Sequence, residues 1–496
     1  MFLQIKRYLP SITLGTLLLA GLVFRLKGIS TNHSFWSDEA YVSGIAKDIF
    51  LGKTSLSQGL SALRYQFFQI ITVLGSFSLF GISEWAARLP SVLWGTAGIA
   101  TSYLVAKKFS NHGGGLLAAF LYTFLQLNLA NSTQAKPYAA IQTLYLLTIY
   151  GSLTLSETVK MKQKLLIHAV ILAGASIAIF YHPLGIICLV FYLTYTLPGF
   201  YSWLKKLPTI YIFSLVLGLT FIAFYLFDLG VIISLFFRPT VNNFTYLREF
   251  FWRQYAFLTL PAIFGLALIK DKKSILSLAL STLPVLIMWL FFQESKNLRY
   301  LLPLIGLLIV KFGIFWTKVS FSLYKGSAVV CLFVALLIYA GGYKVVRKPA
   351  VYYTPNADFF ADVQNADYKV FYKKIYEQFP DFDNIPYFTN GFDHGSWYTF
   401  HLPSAIFMKT NLPPFQHDYY SVMIYPSQEY FLQEQEKYPR GLVIIEDWQS
   451  LMPDDVKGYI KKNLKLEFRV ESMAVAQEEK WPLELYSWGF DEKKSK

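Results

Sequence analysis

From residue 8 to residue 345 the chain is a succession of apolar runs, most of them near the ~20 residues that a helix needs to cross ~30 Å of hydrocarbon. The runs are 8–26, 88–106, 114–130, 138–155, 165–181, 184–200, 208–232, 255–269, 274–292, 300–316 and 327–345. Short basic connections separate many of them: Lys6-Arg7, Lys107-Lys108, Lys160 to Lys164, Lys205-Lys206, Lys270 to Lys273, and the weaker Lys318 and Lys325. Lys and Arg near helix ends mark the cytoplasmic side. With every cluster on that side, the eleven runs cross alternately. A further run, 65–82, "YQFFQIITVLGSFSLFGI", would reverse all later clusters if it crossed, so the pattern predicts an interfacial or half-inserted helix on the outer face.

The pattern changes after residue 345. Residues 346–496 hold 22 of the 31 acids. Two strand-like stretches, "GLVIIEDW" and "LEFRVESMAVA", flank a helical one, "PDDVKGYIKKNL". The expected architecture is an α-helical polytopic membrane protein of about eleven transmembrane helices plus an outer interfacial helix, with a small C-terminal extracytoplasmic α/β domain. Its domains are 1–345, transmembrane, with 27–87 as the first outer loop, and 346–496, soluble.

Composition narrows the function classes. At 54% hydrophobic and 15% charged residues, the chain is too apolar for an ordinary soluble protein of 496 residues. The formal charge of +14 does not mark a nucleic-acid partner, because the cations of the first part sit in short clusters between apolar runs. Cys188 and Cys331, both inside apolar runs, offer neither a disulfide framework nor a cysteine zinc site. The N-terminal apolar stretch is longer than a signal-peptide core and lacks a small-residue cleavage motif, so it is expected to stay as the first helix.

Nine acids precede residue 346, and all but Glu157 and Asp271 fall at outer helix ends or in outer loops. Ionisable groups are costly in hydrocarbon, so their gathering at one face points to a polar site there, although loops are polar in any case. The first outer loop offers "WSDEAY", with Asp38 and Glu39, and ends in "SEWAARLPS", with Glu84 and Arg88. Later loops offer "NSTQAKPYAA", "FYHPLG", "RPTVNNFTYLREFFWRQY" and "QESKNLRYLLP". Paired carboxylates facing cations suit group transfer from a phosphate: a base activates the acceptor while Arg and Lys hold the anionic leaving group.

"SDEAY", "EWAARLPSVLWG", "STQAKPYA", "YHPLG" and "LRYLLP", in that order, resemble the polyprenyl-phosphate-sugar-dependent glycosyltransferases of the C-type superfamily, among them glycosyltransferase family 39, the protein O-mannosyltransferases and the lipid A aminoarabinose transferases. The likeness covers roughly residues 8–316. It implies a multi-pass cell-membrane enzyme that moves a sugar, with inversion, from an undecaprenyl or dolichyl phosphate carrier to an acceptor hydroxyl on the extracytoplasmic face. The acceptor would be a glycolipid, polysaccharide or protein. The family's acidic pair matches Asp38 and Glu39, with Asp38 as candidate base, and its phosphate ligands match Arg88, Lys136 and Arg299. Arg64 in "SALRYQFF" stands where relatives carry a Lys/Pro-Pro segment, and Tyr138, His182 and Tyr300 are candidate substrate contacts. No cofactor is certain. Some superfamily members use a divalent metal at the first-loop acids, and one carboxylate pair without a clear His partner does not establish it here.

Each residue also has a plainer role open to it. Asp38 is a good helix N-cap, and Glu39 favours a helix N-terminus. Arg88 and Arg299 could snorkel to the interface, Lys136 is open to either role, and His182 could be structural. Asp393 and His394 in "NGFDHGSW" form a ligand-like pair to which no role is assigned. The alternative function, a transporter or flippase of a lipid-linked saccharide, would lead one to expect internal repeats and mid-membrane charges, and neither is visible.

Overall fold

The structure, a computed structural model, describes residues 2–31, 33–63, 66–204, 248, 254–291, 298–323, 344–351, 353, 366–391, 393–417, 420–446, 451–471 and 482–490. Two compact units result. One comprises Met1–Ile29, Tyr65–Gln69 and Arg88–Phe359; the other comprises Ser30–Arg64, Ile70–Ala87 and Phe360–Lys496. Most of the segment 27–87 thus groups with the C-terminal residues.

In chain order the helices through residue 132 are α1 (Phe2–Leu26), α2 (Ser37–Phe50), α3 (Leu56–Ala62), α4 (Phe67–Phe80), α5 (Glu84–Phe109), α6 (His112–Phe124) and α7 (Gln126–Ser132). Then come α8 (Tyr138–Glu157), α9 (Met161–Tyr181), α10 (Ile186–Leu204), α11 (Ala256–Ala267), α12 (Lys272–Phe291) and α13 (Leu302–Leu323). Among the described residues four segments are long and apolar enough to cross a membrane: Tyr8–Leu26, Glu84–Phe109, Met161–Tyr181 and Leu298–Val319. The expected crossings at 208–232 and nearly all of 327–345 lie outside the described residues.

Two runs differ from expectation. The run 114–130 is not one helix: it breaks at Leu125, which is extended (φ −68°, ψ 123°) and pairs with Val345, and the Val346 amide donates to the Phe124 carbonyl at 2.8 Å. An extended residue ends the helical ladder, and a backbone partner elsewhere takes up the released groups. The run 255–269 yields only the 12 residues of α11. Helix α4 has 14 residues, so it extends about 21 Å, short of the hydrocarbon thickness. Helices α6 and α13 meet at Gly114 and Gly313, where a Cβ on Gly313 would lie 2.4 Å from the Gly114 carbonyl oxygen, so only glycine permits that approach.

The second unit contains a seven-stranded sheet: β1 (Tyr387–Thr389), β2 (Ala405–Phe407), β3 (Phe415–Gln416), β4 (Met423–Tyr425), β5 (Gly441–Glu446), β6 (Lys465–Val470) and β7 (Leu483–Trp488), in the order β3-β4-β2-β1-β5-β7-β6. Strands β4, β2, β1 and β5 run parallel. Side chains alternate along β5. Leu442 and Ile444 pack with Phe371 and Ile375 of α14 (Tyr368–Gln378), while Val443 and Ile445 pack with Phe431 of α16 (Gln428–Glu436) and Val456 and Ile460 of α17 (Asp454–Asn463). Helices therefore cover both faces, which is why β5 reads in the sequence as an unbroken apolar run. Between β1 and β2 lies α15 (Asp393–Tyr398).

Candidate active site

In the second unit the acid pair opens α2. The helix is entered through Trp36, whose carbonyl accepts from the Ala40 amide at 2.9 Å and whose amide donates to Glu39 Oε2 at 3.2 Å. Glu39, buried, therefore closes the helix start as a capping-box acid does. Asp38 is one position inside the helix and exposed, so the N-cap role considered for it belongs to the Trp36–Glu39 pair.

Helix α2 packs on α15, and the contact is specific. Lys47, 3% exposed, donates from Nζ to the carbonyls of Ser396, Trp397 and Thr399 at 2.6, 2.8 and 2.9 Å. These are the released carbonyls at the end of α15, and an ammonium has three protons to give them. Burial lowers the Lys47 pKa to about 8, with Asp48 acting against it, so the ammonium form prevails at neutral pH. Gly44 sits where a Cβ would lie 2.9 Å from Ser396 Oγ.

The other end of α15 brings further titratable groups to the acid pair. His394 Nε2 donates to the Phe35 carbonyl at 2.9 Å, its ring stacks on Tyr368 at 3.5 Å, and Nδ1 faces Glu446 Oε2 at 3.8 Å. Burial pushes His394 down to about 3, so it is a neutral imidazole and its contact with Glu446 is not an ion pair. Tyr368 donates to Glu446 at 2.6 Å, and burial raises that carboxyl to about 7. Asp393 rises to about 8 through burial, then the charges of Glu446 and Asp38. Asn390 joins the ends of β1 and β5, donating to the Glu446 carbonyl at 2.7 Å and accepting from its amide at 2.8 Å. Glu84, at the end of the same loop segment as the acid pair, forms an ion pair with Lys369 at 2.5 Å and accepts from Tyr398.

In the first unit, three chain segments deliver an aromatic frame around a guanidinium. Tyr138 starts α8, His182 ends α9, and Arg299 and Tyr300 lie in the 3₁₀ turn Leu298–Leu301 that leads into α13. Ring centroids are 5.7 Å apart for Tyr138–Tyr300, 5.6 Å for Tyr138–His182 and 6.2 Å for His182–Tyr300. The Arg299 guanidinium lies 5.5 Å from the Tyr138 ring centre and 5.1 Å from that of Tyr300, and donates to the Tyr300 hydroxyl at 3.2 Å. Such stacking orients the planar fork. The His182 Nδ1 accepts from the Leu184 amide at 3.1 Å, which shapes the turn after α9.

Arg88 and Lys136 form an adjoining group. Arg88, fully buried in α5, donates to the Ile29 carbonyl at 3.3 Å. One turn on, Ser91 donates to the Lys136 carbonyl at 3.0 Å, and Lys136 precedes Tyr138 by two residues. The segment 133–138 is buried throughout, unusual for a loop. Gln134 in it has a buried Nε2 with no hydrogen-bond partner among the described residues. Arg64 lies outside the described residues. Also among the described residues, no group of three or more His, Cys, Asp or Glu is arranged to hold a metal ion.

Residues 70–227 match the family model described as dolichyl-phosphate-mannose-protein mannosyltransferase. Apo ArnT from Cupriavidus metallidurans aligns over 96% of this chain and 97% of its own, with a TM-score of 0.61 and 13% identity. ArnT from the same organism bound to undecaprenyl phosphate aligns over the same shares at 0.56 and 14%. The oligosaccharyltransferase AglB from Archaeoglobus fulgidus, in complex with an inhibitory peptide and a dolichol-phosphate, aligns over 89% of this chain and 70% of its own at 0.54 and 13%. The chain has the C-type glycosyltransferase fold shared with ArnT and AglB. The superfamily named by the motifs is thus the one whose members match in structure. No curated protein matches the chain in sequence.

Sequence reasoning did not mark Lys47 or Glu446, noted Gln134 beside Lys136 without a role, and left Asp393 and His394 without one. The signal for the last two was their adjacency in a glycine-flanked segment. Nothing in the sequence marks Lys47, a lone cation on an otherwise ordinary amphipathic helix.

Proposed function

We propose that this chain is an integral-membrane glycosyltransferase that moves a sugar from a polyprenyl phosphate carrier to an acceptor hydroxyl on the extracytoplasmic face, where the C-terminal domain also resides. Asp38 takes the proton of the acceptor hydroxyl as its oxygen bonds to the anomeric carbon. The bond from that carbon to the phosphate oxygen breaks, the phosphate leaves with the electron pair, and the anomeric centre inverts. Arg88, Lys136 and Arg299 hold the phosphate, with Arg299 giving a bidentate fork. Glu39 supports Asp38 by fixing the helix start, and Tyr138, His182 and Tyr300 frame the donor.

The observation that carries this reading is the grouping near Lys136-Pro137-Tyr138: buried Arg88 lies one turn before Ser91, which holds the Lys136 carbonyl, Arg299 stacks on Tyr138, and the buried Gln134 amide has no acceptor among the described residues. Cations held inside an apolar helical unit suit a lipid-borne anion. The lipid phosphates bound by ArnT and AglB are of that chemistry.

Purified protein in liposomes with synthetic polyprenyl-phosphate mannose or aminoarabinose tests the reading, with release of free polyprenyl phosphate as the signal. Mass spectrometry of glycolipids and glycoproteins from cells with and without the gene supplies the acceptor. Asp38→Asn should lower turnover by about 10²–10⁴-fold with donor binding unchanged. Near wild-type transfer by Asp38→Asn would remove Asp38 as the base.

A further inference from the structure

Helices α8 and α9 leave a cavity of about 240 Å³ between them, open to one side. Its walls come from Leu144, Leu147 and Gly151 of α8 and Leu166, Val170 and Gly174 of α9. The Thr154 hydroxyl at its rim is turned back onto the Tyr150 carbonyl at 2.9 Å, which leaves that wall apolar. Leu166 and Val170 are also exposed on the outside of α9, one of the membrane-length helices, so the groove opens where hydrocarbon lies. The volume is below the roughly 300–1,000 Å³ of small-molecule pockets, and suits one flexible chain.

The groove has a charged end. Lys162, Leu166, Val170 and Gly174 follow at four-residue spacing and therefore lie along one face of α9. Lys160 and Lys164 flank Lys162, and no acid occurs between residues 158 and 166. The one carboxylate at this end of α8, Glu157, is paired with Lys108, whose Nζ lies 5.8 Å from the ring centre of groove-lining Tyr150. An apolar channel that continues into lysines with no acid partner among the described residues complements an anionic headgroup with a hydrocarbon tail.

We propose that this groove is a binding site for an anionic glycerophospholipid, one acyl chain lying between α8 and α9 and the phosphate against Lys160, Lys162 and Lys164. The site is separate from the donor and acid groups described above and does not depend on their chemistry.

The full chain, purified from nanodiscs of equal phosphatidylglycerol and phosphatidylcholine, is assayed by native mass spectrometry for retained lipid. Wild type should retain phosphatidylglycerol at least about tenfold over phosphatidylcholine. A Lys160→Gln, Lys162→Gln, Lys164→Gln variant should lose the preference. Gly174→Leu should lose retention of both lipids: a Cβ there meets Leu144 at an ordinary 3.8 Å, and the rest of the side chain takes up groove volume. Gly174→Ala, which leaves most of the groove open, should retain lipid and controls for folding. Equal retention of the two lipids by wild type, a preference that survives in the triple variant, or recovery of a prenyl phosphate in place of phospholipid would overturn the proposal.

Discussion

Replacing Lys47 by Met keeps the aliphatic stem and removes the ammonium that holds α2 on α15. Three carbonyls then lose their donor, at about 1–3 kcal/mol each, or about 6 kcal/mol together at the middle of that range. Against this, the variant no longer buries a charge. The lowering of the Lys47 pKa from 10.5 to about 8 puts that gain at about 3 kcal/mol. The net loss is about 3 kcal/mol, concentrated where α2 meets α15. Hydrogen exchange of the peptide covering 37–50 should accelerate by about a hundredfold, with the exchange of β5 changed far less. The sign of the pH effect also follows. Between pH 8 and 10.5 the unfolded chain carries a proton on Lys47 that the folded chain has lost, so the wild type gains stability as pH rises through that window and Lys47→Met does not. Turnover should fall in Lys47→Met while donor affinity stays, and Lys47→Arg, which keeps a buried cation, should recover part of it. Exchange at 37–50 within about threefold of wild type would refute the reasoning, since no clamp would then have been released.

Further expectations concern neighbouring groups. Asp393 has its pKa raised to about 8, so between its ordinary value and about 8 the folded chain keeps a proton that the unfolded chain loses, and stability falls as pH rises. Asp393→Asn should flatten that decline in thermal melts from pH 5 to pH 9, and an identical slope in the variant would contradict the burial argument. Arg299→Lys keeps the charge but loses the fork, and donor binding measured with a photoreactive polyprenyl phosphate should weaken by about tenfold or more; unchanged affinity would move the phosphate elsewhere. Cysteines at Ser57 and Gly81, in a background lacking Cys188 and Cys331, should both react with an impermeant thiol reagent from the outside. Labelling from opposite sides would mean that α4 crosses the membrane.

What the sequence revealed and what it hid differ in physical kind. Long apolar runs such as those forming α1, α5, α9 and α13 are read directly, because a bilayer demands length and hydrophobicity together. The order of polar motifs at helix ends identified Tyr138, His182, Arg299 and Tyr300, which the fold gathers into one frame. Leu125 was illegible, since an extended break inside an apolar run depends on a partner more than 200 residues away. Strands β1 and β2 have three residues each, too few for any period to register. Lys47 was invisible for another reason: its partners are backbone carbonyls, which carry no sequence signature.

The position of the acid pair has an account in the topology of the sheet. From β1 the chain winds through β2 to β4 on one side and returns to β5 on the other, so the strand order reverses between β1 and β5. Doubly wound sheets offer their ligand crevice at the carboxyl ends of the strands at such a reversal. Here Thr389-Asn390 and Glu446 end there, with Gly391 pressed so close that a Cβ would lie 2.4 Å from the Glu446 carboxyl carbon. What approaches this end of the sheet is the chain's own segment Phe35–Glu39, received by His394 through the Phe35 carbonyl and fixed further along by Lys47 on α15. The place where such a sheet would hold a small molecule is used to seat the helix that carries Asp38. A side chain on a loop has poor positional control, whereas one on a helix anchored at both ends to a sheet-borne element keeps its geometry. This gives the C-terminal residues a physical reason to group with residues 30–64: they hold both ends of α2.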